Sequence, residues 1–171
     1  MIISLLGYMG SGKTHISKKL SEKIDYKFID LDAEIMQKNQ KSISEIFSER
    51  GEIFFRKQEK EILEQILELK ENIILSLGGG TPAYYKNMDL INQKSKSIFL
   101  RANITTLTNR LLAEKDSRPL IAKIPKEDLP EYIAKHLFER NLFYNQAKFI
   151  IGTDSKSADE IVTEIEKLIF V

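Results

Sequence analysis

Near the start of the chain, "GYMGSGKT" (residues 7–14) sets a lysine and a hydroxyl residue directly behind a glycine-rich run, matching G-x-x-x-x-G-K-S/T. The chemistry is phosphate binding. Gly7, Gly10 and Gly12 let the backbone turn with its N–H groups inward, and a helix beginning near Lys13 adds its positive end. Lys13 then reaches the β- and γ-phosphates of a nucleotide, while the Thr14 hydroxyl ligates the Mg²⁺ that bridges them. The pattern points to a nucleotide without choosing a reaction. His15 and His136 make no metal-ligand spacing, and His15 reads as a first-turn helix residue.

A phosphoryl donor needs an acceptor, and the sequence offers several candidate groups. In "YKFIDLDAEI", Asp30 and Asp32 stand two apart at a strand end, which predicts side chains leaving one face about 6.5 to 7 Å apart. On the strand expected beside the cradle, Asp30 would hold Mg²⁺ through water, and Asp32 would take the proton of an attacking hydroxyl or orient it. The competing reading is that Asp32 caps a helix. Arg56 follows the aromatic pair of "GEIFFRKQEKE"; among Lys57, Glu59, Lys60 and Glu61 it reads equally as part of a solvated helix face. "LSLGGGTP" ends a strand in Gly78, Gly79 and Gly80, either a plain turn or a place where substrate meets bare backbone. Arg118, in "SRPL", would close over the transferring phosphoryl, and Arg140, in "FERNLFYNQA", is either a ligand or a surface charge.

These residues must be positioned by alternating elements. Strands are expected at 2–6, 26–31, 73–77, 97–100 and 149–151. Helical patterns cover 13–24, 43–70, 103–115, 127–147 and 157–170, and Ser42 and Glu45 have capping-box spacing. Such alternation predicts a parallel sheet covered on both faces. Residues 114–130 hold three of the four prolines with no steady apolar period, and read as an ordinary loop or a mobile lid.

Composition sets the limits. The 171 residues suit one domain, and 42% hydrophobic content supports a packed core. With 26 basic and 25 acidic side chains, no overall field draws the chain to nucleic acid or an anionic membrane, so a small-molecule partner is expected. The lack of cysteine excludes disulfides and thiolate chemistry. "MIISLL" is too short for a signal-peptide core and no apolar run is bilayer-length, so a cytoplasmic protein is expected.

Taken together, "GYMGSGKT", "DLD", "FFR", "GGGTP", "RPL" and "ERNLFYNQA" follow the order and approximate spacing of shikimate kinases, which this sequence resembles from Ile2 to about Ile151. The resemblance implies an α/β, three-layer P-loop fold of the nucleoside-monophosphate-kinase type, with five parallel strands, helices on both faces and a lid. It implies transfer of the γ-phosphoryl of ATP to the 3-hydroxyl of shikimate with Mg²⁺, a step of aromatic amino-acid precursor synthesis; a monomer is expected. By resemblance, Gly10, Ser11, Gly12, Lys13, Thr14, His15 and Arg118 bind ATP, with His15 acting through its backbone where the family has a second hydroxyl residue. Thr14 and Asp30 serve the metal; Lys13, Asp32 and Arg118 are catalytic, Asp32 as base; Asp32, Arg56, Gly78, Gly79 and Arg140 bind shikimate, the arginines clamping its carboxylate. The implied organisation is one kinase domain over 1–171, a shikimate-binding segment at about 33–60 and a lid at about 112–124. Lys115 stands where the family often has a further basic residue, and Asn145 and Lys148 replace commonly acidic ones. The rival readings are a gluconate or nucleoside monophosphate kinase, and a nucleotide-binding module that transfers nothing.

Overall fold

A computed structural model describes residues 1–170. Its five strands, β1 (Ile2–Leu6), β2 (Lys27–Asp30), β3 (Ile73–Ser76), β4 (Lys96–Arg101) and β5 (Phe149–Gly152), form one parallel sheet in the order β2-β3-β1-β4-β5. β1 and β3 are buried throughout, as expected for parallel strands covered on both faces. Ile3 lies opposite Ile74 on one side and Lys96 on the other.

The helices are α1 (Lys13–Ile24), α2 (Leu31–Asn39), α3 (Ile43–Leu67), α4 (Asn87–Lys94), α5 (Ile104–Ala113), α6 (Pro119–Ala122), α7 (Leu129–Tyr144) and α8 (Ala158–Ile169). Side-chain alternation along the strands divides the core in two. Ile3, Leu5, Ile74 and Leu100 pack with Ile16 and Leu20 of α1 and Ile161 and Ile165 of α8. Leu6, Leu75 and Phe99 face the other way, toward Leu63 of α3, Ile91 of α4, Leu111 of α5 and Ile133 of α7. Burying each such side chain contributes about 1.5 to 3 kcal/mol, so this second layer is a firm support for the side chains it carries to the site.

Three expectations need correction. Asp30 is not on a strand beside the cradle, because β3 lies between β2 and β1. Asp32 is not on a strand at all: the chain turns helical at Leu31, so the same-face spacing of the two aspartates does not apply. The expected continuous helix from residue 43 bends at Gly51, whose φ of 83° and ψ of 170° break the helix. That left-handed φ suits glycine, and nothing lies within 4 Å of an added Cβ, so conformation alone fixes the residue. α2 and α4 have no counterpart among the expected helices. The Ser42–Glu45 capping box is present, with Ser42 Oγ accepting from Glu45 N at 3.2 Å and Glu45 Oε2 from Ser42 N at 2.7 Å. Residues 114–130 form a series of short helical turns around α6, which is why their apolar residues keep no period.

Candidate active site

The cradle links β1 to α1. Gly12 precedes the helix at φ 90°, and Ser11 N donates back to the Tyr8 carbonyl at 3.1 Å, closing the turn. Lys13 Nζ donates to the same carbonyl at 2.9 Å. Burial lowers the Lys13 pKa to about 8; Arg118 and Arg140 push the same way, while Asp32 and Asp30 oppose it. Gly10, Ser11, Gly12, Lys13, Thr14 and His15 all border a cavity of about 640 Å³. Arg110, absent from the sequence expectations, borders it too and donates from Nη1 to the Gly10 carbonyl at 3.1 Å, fastening α5 to the cradle. His15 is exposed in the first turn, as expected.

Thr14 Oγ1 donates to Asp30 Oδ2 at 3.1 Å and lies 3.5 Å from Ser76 Oγ. Hydroxyls and a carboxylate are hard oxygen donors, the set that suits Mg²⁺. Asp30 also caps α2, accepting from Ala33 N at 3.1 Å. The capping role expected for Asp32 therefore belongs to Asp30, which leaves Asp32 in the first turn with its carboxylate bordering both the cradle cavity and a second one. Burial, followed by Asp30 and Glu59, raises the Asp32 pKa to about 6, against the lowering pull of Lys13 and Arg56. A carboxylate so raised is a stronger base at neutral pH than an ordinary one.

The second cavity, of about 560 Å³, shares Met9, Asp32, Gly78, Gly79 and Arg118 with the first, so the two adjoin. Arg56 and Arg140 both line it. Arg56 is not on a solvated face: it is 9% exposed, with Nη1 donating to Glu59 Oε1 at 2.8 Å and its guanidinium 3.9 Å from the Tyr84 ring centre. Glu59, 1% exposed, also accepts from Thr81 Oγ1 at 2.8 Å. Arg56 Nε makes no hydrogen bond among the described residues and lies 3.6 Å from Glu52 Oε1, an ion pair rather than a hydrogen bond.

Gly78–Gly80 form the ledge between these groups. A Cβ on Gly80 would stand 2.7 Å from Arg56 Nη2, and one on Gly78 would stand 3.0 Å from Asp32 Oδ1. A Cβ on Gly79 would meet Arg140 Nη1 at 3.3 Å. None of the three needs a left-handed φ; they are bare so that the arginines and Asp32 can approach. Tyr144 Oη donates to the Gly79 carbonyl at 2.5 Å and holds the ledge from behind. Arg140, on α7, has no ion-pair partner among the described residues. Arg118 borders both cavities, its Nε donating to Glu114 at 2.8 Å, and Lys115 turns back onto the Ala122 carbonyl at 2.5 Å.

The structure thus brings together every residue expected to bind nucleotide, metal or acceptor. Glu59, Tyr144 and Arg110 were not anticipated. Glu59 sits three residues after Arg56, a spacing that pairs side chains on a helix and was the available signal.

The shikimate kinase family model matches residues 9–170. The chain belongs to the shikimate kinase family. The shikimate kinase of Flavobacterium psychrophilum is 46% identical over 170 residues, 98% of each chain. The shikimate kinase structure from Bacteroides thetaiotaomicron superposes with a TM-score of 0.93 at 35% identity, over 100% of this chain and 99% of that one. That of Acinetobacter baumannii, in complex with shikimate, gives 0.88 at 28% identity, over 99% and 92%. The five-stranded parallel sheet is accordingly the P-loop fold of this kinase family.

Proposed function

We propose that the chain transfers the γ-phosphoryl group of ATP to the 3-hydroxyl of shikimate, giving shikimate 3-phosphate and ADP. One observation carries the acceptor assignment: two arginines and a carboxylate converge on a glycine ledge in a cavity that adjoins the phosphate cradle. Shikimate presents a carboxylate, which suits the two arginines, and three hydroxyls, which suit the Asp32 carboxylate and the main chain of the ledge.

In this reading Arg56 and Arg140 hold the carboxylate. Charge-assisted hydrogen bonds contribute about 1.5 to 3 kcal/mol each, so the pair supplies about 3 to 6 kcal/mol, roughly 10²- to 10⁴-fold against an acceptor lacking the carboxylate. Glu59 fixes the Arg56 guanidinium in plane. Asp32 orients the attacking hydroxyl and accepts its proton, and the cradle N–H groups with Lys13 hold the phosphates in line. Thr14 and Asp30 would hold Mg²⁺, which when bound neutralises charge between the phosphates. Arg118 exchanges Glu114 for the transferring phosphoryl as the lid at about 112–124 closes. The acceptor-binding segment is about 33–60, within a single kinase domain over 1–171, acting as a cytoplasmic monomer; no helix among the described residues is long and apolar enough to cross a membrane.

The test is ADP release from MgATP with shikimate, gluconate or a nucleoside monophosphate as acceptor. Release with shikimate alone is expected. Equal turnover with gluconate or a nucleoside monophosphate would defeat the acceptor assignment, and binding of ATP with no release on any acceptor would identify a nucleotide-binding module.

A further inference from the structure

Tyr8, the second residue of the glycine-rich run, is 1% exposed and makes contact in three directions. Its carbonyl accepts from Lys13 Nζ at 2.9 Å. Its ring centre lies 5.8 Å from the Arg140 guanidinium. Its hydroxyl lies 2.9 Å from Nδ1 of His136, one helical turn before Arg140 on α7. The Tyr8 and His136 rings meet edge to face at 5.6 Å, and Tyr132 closes the other side of the imidazole at 5.3 Å. A phenylalanine would fill the same space, so packing does not require the hydroxyl; what the hydroxyl adds is a directional link between cradle and helix.

The protonation states fit that link. Burial keeps the Tyr8 hydroxyl protonated, and burial together with the nearby Arg140 charge holds His136 below the ordinary histidine value. A protonated hydroxyl and a neutral imidazole hold the bond in either tautomer, and His136 adds no further positive charge beside Arg140.

We propose that the Tyr8–His136 hydrogen bond makes nucleotide and acceptor binding cooperative, with Tyr8 as a positioning residue that ties the phosphate-binding lysine to the acceptor-binding arginine. The proposal rests on the acceptor reading above. Phosphates at Lys13 re-aim the ammonium that the Tyr8 carbonyl accepts. The enclosed ring moves with its own backbone, and the hydroxyl passes that adjustment to α7, setting Arg140 for the carboxylate. By linkage, shikimate strengthens nucleotide binding by the same factor.

The experiment measures the dissociation constant of shikimate by titration calorimetry, with and without saturating Mg²⁺ and a non-hydrolysable ATP analogue. The natural chain is expected to bind shikimate about five- to tenfold more tightly with the analogue. Tyr8→Phe brings that ratio within about twofold of one, His136→Phe does the same, and the double variant goes no further. A purely structural role would weaken both ligands and lower thermal stability while leaving the ratio intact. The proposal is overturned if the natural chain shows a ratio of one, or if either folded single variant keeps the natural ratio; should Tyr8→Phe not fold, His136→Phe decides. Absence of shikimate binding by the natural chain in either arm would remove the acceptor assignment itself, and this coupling with it.

Discussion

The cradle and the acceptor cavity adjoin, yet they are built in opposite ways. The cradle is eight consecutive residues whose donors are set by their own backbone turn and by the start of α1. The acceptor cavity draws Asp32 from α2, Arg56 and Glu59 from α3, the ledge from the end of β3 and Arg140 from α7. Its shape exists only when four elements are correctly docked. Nucleotide binding should therefore tolerate disturbances elsewhere in the fold, whereas acceptor recognition should register small shifts in packing.

The largest effect expected crosses the boundary between them. On the proposed mechanism Asp32 is the proton acceptor, so Asp32→Asn should lower kcat by about 10²- to 10⁴-fold while ATP still binds, read by steady-state kinetics beside nucleotide titration. A near-normal rate would take Asp32 out of the chemistry. Next, Arg140→Met should raise the shikimate KM by about 10- to 100-fold and leave the ATP KM within about twofold. Equal rises in both would erase the contrast between the two regions.

The pH profile separates them by sign. Asp32 must be ionised to act, so kcat/KM should fall about tenfold per unit as pH drops below about 6. Lys13 must be protonated, so activity at low ATP should fall as pH rises through about 8, a limb that saturating ATP moves upward because phosphates favour the ammonium. The acid limb should be missing in whatever activity Asp32→Asn retains. The smallest effect comes from a residue in neither site. Gly51→Ala forces a side chain into a backbone conformation, φ 83° and ψ 170°, open essentially to glycine alone, at a cost of about 1 to 2 kcal/mol. It should lower Tm by about 2 to 8 °C, since each kcal/mol shifts a chain of this size by about 2 to 4 °C. By tilting the part of α3 that carries Arg56, it should also raise the shikimate KM a few-fold with no change for ATP.

The same contrast explains what the sequence disclosed. A local motif carries its geometry with it, so the cradle, its strand and its helix were legible at once, and strand β1 and helix α1 fall on their expected residues. The acceptor groups were legible as residue types but not as a site. Spacing alone left Arg56 among solvated charges, because its burial depends on a Gly51 bend and on Glu59 and Tyr84 reaching it. Asp30 and Asp32 were paired on the wrong element, since period-two geometry cannot foresee that the chain turns helical between them. Only the ordered set of motifs shared with a family joined those distant segments.

The ledge at Gly78–Gly80 bears on how such an enzyme can escape an inhibitor. Drug resistance commonly arises when a binding-site residue gains bulk, but here new bulk would meet Thr81 and Asp32 from Gly78, Arg140 from Gly79 or Arg56 from Gly80. With shikimate held there as proposed above, a compound of its shape resting on that main-chain surface leaves few evolutionary exits, since each exit would first damage the grip on the substrate.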